Sequence, residues 1–296
     1  MSAGCCRRAA GALALPLLLL SGCMFTTRKL PVPRMPSVVQ TVPAEELVAR
    51  LNQNWGALES LNATVDIQAS VLKSKEGVAK DYTTFRGIIL MRKPEMLRVY
   101  GRVPVLGTRM FDMVSDGKNF TLYIPSRSKA VKGANSLKKK SLSQVENMRP
   151  GFFFDAMVVR GVEPDDMYSV AAETDTVEDA SKKHLLATPE YELNVMHRKP
   201  GSQQLTLVRS VLFHRDDLLP YQQDLYDSEG NLETQVFYSR YADYGTVRYP
   251  SVITIKRPLE DYQVVLTVEK VVQNMALTDD QFQVKIPEGT TTQTLE

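Results

Sequence analysis

The sequence predicts a mainly β protein with a few helices, an α+β chain dominated by one large, strongly curved antiparallel sheet. Three observations predict it. Many short segments alternate apolar and polar side chains, the period of a half-buried strand. Most connections between them are turn-sized, as in Asp227-Ser228-Glu229-Gly230, so neighbours in sequence should pair antiparallel. Only two stretches read as helix, few for a sheet whose apolar face needs cover. The shortfall predicts an apolar cavity between sheet and helices.

In chain order, Arg7-Arg8 precede an uncharged run, Ala9 to Leu20, which ends in Leu20-Ser21-Gly22-Cys23. The run is 12 residues long, against about 20 for a membrane-spanning helix. A basic start and a short apolar core read as a secretory signal, residues 1–22. The last four of these residues resemble the lipobox of bacterial lipoproteins, in which the cysteine is lipidated and becomes the first mature residue. Cys5, Cys6 and Cys23 are the only cysteines, so the mature chain can form no internal disulfide and no cysteine-based metal site. Removing Arg7 and Arg8 leaves 34 basic against 34 acidic residues, and nucleic-acid binding lacks its basic footprint. Residues 23–42 carry Pro31, Pro33 and Pro36 and read as an extended tether of roughly 50 Å.

The folded body, 43–296, reads as a single domain. A helix is expected from Pro43 to about Leu61, with Leu47, Leu51, Trp55, Leu58 and Leu61 on one stripe. Val65, Ile67, Ala69 and Val71 then alternate with polar residues as a first strand, and "KSKEGVAK" (73–80) is a turn. Strands follow at about Tyr82–Met91, around Leu97 and Val99, at Thr108–Val114 and, after an Asp116-Gly117 turn, at Phe120–Ile124. "RPGFFFDAMVVRG" (149–161) reads as helical and "TVEDASKK" (176–183) as a loop, with 167–183 a candidate insertion. Strand signals resume after about Glu190 and cover roughly 192–197, 204–214, 221–226, 232–241, 247–256 and 262–272. The run Lys138-Lys139-Lys140, with Arg127, Lys129 and Lys132 nearby, is a basic patch, either a solvated loop or a contact for anionic headgroups.

Chemistry-bearing motifs are scarce. His184, His197 and His214 are the only histidines and have no metal spacing, and there is no G-x-S-x-G elbow. The paired aspartates at 165–166, 216–217 and 279–280 read as turn or cap chemistry. The chain is therefore expected not to be an enzyme and to hold no cofactor.

Three stretches resemble the outer-membrane lipoprotein carrier and receptor proteins, the LolA/LolB-like superfamily. They are "GIILMRKP" (87–94), "DGKNFTLYIP" (116–125, with Thr121 where a tryptophan is usual) and "DDQFQVKIPEG" (279–289), the last resembling a closing strand. The resemblance implies an incomplete antiparallel β-barrel of about 10–12 strands, helices plugging its concave face, and a cavity for acyl chains. It also implies a lipidated, receptor-like member at the outer membrane, facing the periplasm, with diacylglycerol and an N-acyl chain (palmitate-like) on Cys23. Met24 agrees with this, since aspartate there resembles an inner-membrane retention signal. The implied partners are acyl chains of lipoproteins or other lipids, the membrane and a periplasmic carrier protein. A sensor or scaffold lipoprotein that binds a protein, or a glycolipid carrier, remains an alternative.

Candidate cavity residues are Val65, Ile67, Leu97, Val99, Phe120, Leu122 and Ile124. A further candidate is the aliphatic turn "VPVLG" (103–107), between the third and fourth strands of this reading, flanked by Gly101 and ending at Gly107. It resembles the receptor's Pro-Leu-Gly loop with one residue added. Either Val103, Val105 and Leu106 touch the membrane, or they tuck in as rim packing.

Overall fold

The computed structural model describes residues 34–36, 38–73, 78–103, 107–135, 150–178, 184–199 and 201–295. The signal segment 1–22, Cys23, most of the tether, Val105, Leu106 and the Lys138–Lys140 run lie outside them. The chain divides into two compact units, Pro36–Asp175 with Thr188–Glu296, and Met1–Met35 with Thr176–Ala187. In the smaller unit Arg34 pairs with the 185–187 backbone: its N–H donates to Leu185 O (2.9 Å) and its carbonyl accepts from Ala187 N–H (3.1 Å).

Helix α1 spans Ala44–Ala57, followed by β1 (Ser60–Lys73), β2 (Val78–Asp81), β3 (Phe85–Arg92), β4 (Met96–Arg102), β5 (Arg109–Ser115), β6 (Asn119–Ile124) and β7 (Lys129–Ala134). After α2 (Pro150–Met157) come β8 (Met167–Glu178), β9 (Leu185–Arg198), β10 (Leu205–His214), β11 (Pro220–Tyr226), β12 (Leu232–Tyr244), β13 (Val247–Arg257), β14 (Tyr262–Gln273) and β15 (Thr291–Thr294). All belong to one sheet in the order β15-β7-β6-β5-β4-β3-β1-β14-β13-β12-β11-β10-β9-β8, with β2 paired to β1.

The sheet matches the expected incomplete barrel in part. It does not close, as expected, but it is mixed rather than wholly antiparallel, because β15 runs parallel to β7. Fifteen strands are described rather than 10–12. The extra ones are short (β2, β15), carry few aliphatic residues (β7), or lie at an exposed edge where alternation is unnecessary (β8). Helix α1 stops at Ala57, earlier than its stripe suggested, and Leu61 is a fully buried strand residue. A terminal leucine can continue a helical stripe and begin an alternating one, so the boundary was ambiguous. Residues 279–289 form no strand: Asp279–Phe282 is a 3-10 turn with a Thr278/Gln281 capping box.

Strands β4, β5 and β13 all touch α2, although β3, β1 and β14 lie between them in the sheet. At about 4.8 Å per strand they can reach the same narrow helix only if the sheet bends around it. Phe152, Phe153, Phe154, Ala156 and Met157 of α2 are buried in that concavity, with inward residues of β1, β3–β6 and β12–β14. The last carbonyls of α2 are satisfied by side chains: Gln223 Nε2 donates to Asp155 O (2.8 Å) and Tyr249 OH to Met157 O (2.6 Å). Leu47, Val48 and Leu51 of α1 cover a second cluster on β9 and β10, with Leu193, Val195, Val211 and Phe213.

On the opposite face Leu90 packs with Leu277 and Phe282. Arg98 and Arg92 donate to Gln281 O (2.9 Å) and Leu277 O (2.7 Å), which pins the returning C-terminal segment before it pairs with β7.

Candidate functional site

A cavity of about 370 Å³ opens at one rim of the sheet. The size lies in the range of about 300–1,000 Å³ usual for small-molecule sites. Antiparallel order gathers the late residues of β1, β4 and β6 and the early residues of β3, β5 and β14 at this rim. The wall is mainly carbon, from Ile67, Val71, Phe85, Phe111, Ile124 and Phe153. Ser126, Thr83 and Arg127 line it as well. Arg127 is exposed and ends the 3-10 turn Pro125–Arg127.

Of the seven candidate cavity residues, the structure brings Ile67 and Ile124 to the cavity wall. Val65, Leu97, Val99, Phe120 and Leu122 share their inward face but lie deeper, fully packed in the α2 cluster. Alternation identifies a strand's inward face without identifying how far along it the cover extends. The reading missed Phe85, Met110, Phe111, Phe153 and Tyr262, all of which line the cavity. Phe85, Phe111 and Tyr262 open or nearly open their strands, where the alternation has barely begun.

Gly101, expected to serve the turn, serves packing instead. It is buried in β4, and a Cβ there would stand 2.8 Å from both Phe111 Cε1 and Phe85 Cε2. Those rings meet edge to face at 5.7 Å, an arrangement that the missing side chain permits. Gly107 does adopt the left-handed region, φ +65°. The 103–107 segment lies between β4 and β5, one strand later than the sequence count because of β2. Its base is closed by Val103 N–H to Thr108 O (2.8 Å) and Gly107 N–H to Val103 O (3.0 Å).

Arg102 and Arg109, both exposed, stand on either side of this base, at the same rim as the cavity. Their guanidiniums and that of Arg98 surround the Tyr100 ring at 5.7, 5.0 and 5.3 Å. Asp112, fully buried, accepts from Arg98 Nε (2.9 Å) and Nη2 (2.7 Å) and from Arg109 Nη1 (2.5 Å). This pairing, the largest influence, holds the Arg98 guanidinium above its ordinary pKa.

The end of the tether docks at the opposite rim. Gln40 N–H donates to Arg215 O (2.6 Å), Arg215 Nε to Gln40 O (3.0 Å), and Val42 N–H to Tyr191 OH (3.1 Å).

Two of the histidines have described side-chain partners. His197 Nδ1 lies 2.8 Å from Asp166 at an exposed position, and His214 stacks on Tyr221 at 4.1 Å. Among the described residues no group of three His, Cys, Asp or Glu side chains could hold a metal ion, and no helix is long and apolar enough to cross a membrane.

An open sheet wrapped around a short helix, with an apolar cavity at one rim, defines the class by fold. The likeness to solved structures agrees with that. A DUF1329 family protein from Desulfovibrio piger is similar over 80% of this chain and 95% of its own, with 15% identity and a TM-score of 0.50. A LolA superfamily protein from Nitrosomonas europaea is similar over 82% and 99%, at 14% identity and a TM-score of 0.49. A putative outer membrane lipoprotein-sorting protein domain from Vibrio parahaemolyticus covers 80% and 94%, at 10% and 0.46. At 15% identity the likeness to the Desulfovibrio piger protein is one of fold. No family model matches the chain, and no curated protein matches it in sequence.

Proposed function

We propose that the protein binds an acyl chain of a lipoprotein or other lipid in the rim cavity and takes part in its transfer to the outer membrane, without catalysing a reaction. In this reading Cys23 carries diacylglycerol and an N-acyl chain, and the body faces the periplasm. A periplasmic carrier protein supplies the cargo.

One observation carries the reading: a mainly carbon-lined cavity of about 370 Å³ opens at one rim of the sheet. Burying methylenes yields about 0.8 kcal/mol each, which gives an apolar wall affinity for a chain without any charged contact. The same term makes two or three chains on Cys23 a lasting anchor where one would be marginal. The resemblance of residues 87–94 and 116–125 to the LolA/LolB-like superfamily supports the same assignment.

The test is uptake of a fluorescent long-chain fatty acid by the Cys23→Ser chain, which lacks its own acyl groups. Saturable binding is expected. Ala69 is half-buried on β1 and lines the cavity, so Ala69→Trp fills it while deleting nothing. That variant should lose uptake and keep its thermal transition. Uptake unchanged in Ala69→Trp would move the binding site elsewhere, and no uptake by the parent chain would end the proposal.

A further inference from the structure

The cavity wall is mainly carbon, with Ser70, Tyr82 and Tyr262 also in its lining, and its one charged lining side chain is Arg127, exposed at the lip. Its backbone is held firmly. Ser128 N–H donates to Pro125 O (3.0 Å), Ser128 takes the left-handed conformation (φ 44°), and Ser128 O accepts from Thr291 N–H (2.9 Å). The Arg127 guanidinium, by contrast, makes no ion pair with any of the described residues and is exposed. Asp81, which precedes the lining residue Tyr82, accepts from Ser70 Oγ at 2.6 Å. Ser126 and Thr83, both exposed, line the cavity as well.

We propose that the cavity takes amphiphiles with a single hydrocarbon chain and an anionic headgroup, and that Arg127 selects them by holding the carboxylate or phosphate at the lip. This rests on the acyl-binding reading above. A charged headgroup cannot follow its chain into a carbon-lined cavity, because burying an unpaired charge is costly. It must stop at the lip, where a planar guanidinium offers paired donors to carboxylate or phosphate oxygens. A neutral headgroup gains only an ordinary hydrogen bond there. Hence the chain sets affinity and the headgroup sets preference.

The experiment is equilibrium dialysis of the Cys23→Ser chain against dodecanoate, dodecyl phosphate and dodecanol, each below its micelle concentration. The anionic ligands should bind about tenfold more tightly than the alcohol, the ratio that 1.4 kcal/mol provides. Arg127→Gln should abolish that ratio without altering dodecanol binding, Arg127→Lys should keep part of it, and added salt should compress it. A preference for only one of the two anions identifies which headgroup source is meant. Equal binding of all three ligands by the parent chain overturns this proposal and leaves acyl binding intact. A preference that survives Arg127→Gln overturns the role of Arg127. Binding of none overturns both readings.

Discussion

Replacing Gly101 by alanine adds one methyl group to the floor beneath the cavity rings, and its consequence can be worked out from the geometry. The new Cβ would lie 2.8 Å from an edge carbon of Phe85 and of Phe111. Carbon atoms in good contact are about 3.5–4.0 Å apart, so each ring must retreat by about 0.7 Å or more. Both rings line the cavity, so moving them alters its wall. Overpacking of this kind costs about 1–3 kcal/mol. At about 3 °C per kcal/mol for a domain of this size, Tm should fall by about 3–9 °C.

Two measurements read the effect: circular dichroism melting, and uptake of a fluorescent fatty acid. Gly101→Ala should lower both stability and affinity. Adding Phe85→Leu removes one of the obstructed rings, so the double variant should be less damaged than the sum of the single changes, as expected for residues in direct contact. A Tm within 1 °C or so of the parent would refute the packing argument. It would return Gly101 to the turn role that its neighbour Gly107 plays.

Asp112→Ala should be among the most damaging single changes. It leaves the largely buried Arg98 without its carboxylate, a loss of about 3 kcal/mol, moderated because Arg98 keeps Gln281 O; thermal melting checks it. Asp116→Ala should cost only about 0.5 kcal/mol at neutral pH, since the carboxylate is solvent-screened. The backbone N–H groups of Asn119 (2.6 Å), foremost, and Lys118 (2.9 Å) hold that carboxyl below its ordinary value of about 3.9. Its contribution is therefore complete above that value and is lost as pH falls through the lower folded one, so urea titrations of parent and variant should converge in acid. Deleting residues 25–33 should leave ligand uptake unchanged but slow delivery to liposomes. The end of the tether, at Gln40 and Val42, docks at the rim opposite the cavity, so under the proposed anchoring at Cys23 a shortened chain could not bring that mouth to the membrane.

What the sequence discloses and what it hides can be traced to particular residues. Val65 and Ile67 alternate with Thr64 and Asp66 because one face of β1 is wet, and that strand was legible. The edge strand β8 is exposed over most of its length, so Tyr168 to Asp175 shows no burial pattern to read. "DDQFQVKIPEG" resembled a strand, but Thr278 and Gln281 cap each other first and the backbone turns. Gly101 and Gly107 look alike in sequence. One makes room for a ring from each of the two flanking strands and the other takes a positive φ, a difference visible only when β3, β4 and β5 are side by side.

The position of the cavity follows from a mismatch of lengths. Helix α2 has 8 residues and reaches about 12 Å, whereas β1 has 14 and extends for about 46 Å. A sheet that bends around so short a helix is covered over only part of its concave face. Along β1, Leu61, Ala63 and Val65 are sealed completely, whereas Ile67, Ala69 and Val71 run on to line the cavity. Along β6, Phe120 and Leu122 are sealed and Ile124 reaches the wall. Both strands thus leave cover at the same rim, which is also where Arg102 and Arg109 stand. A longer α2 would close the hollow and stabilise the fold through added burial. The short helix leaves apolar wall uncovered at the rim, and a hydrocarbon chain is the kind of ligand that can cover it.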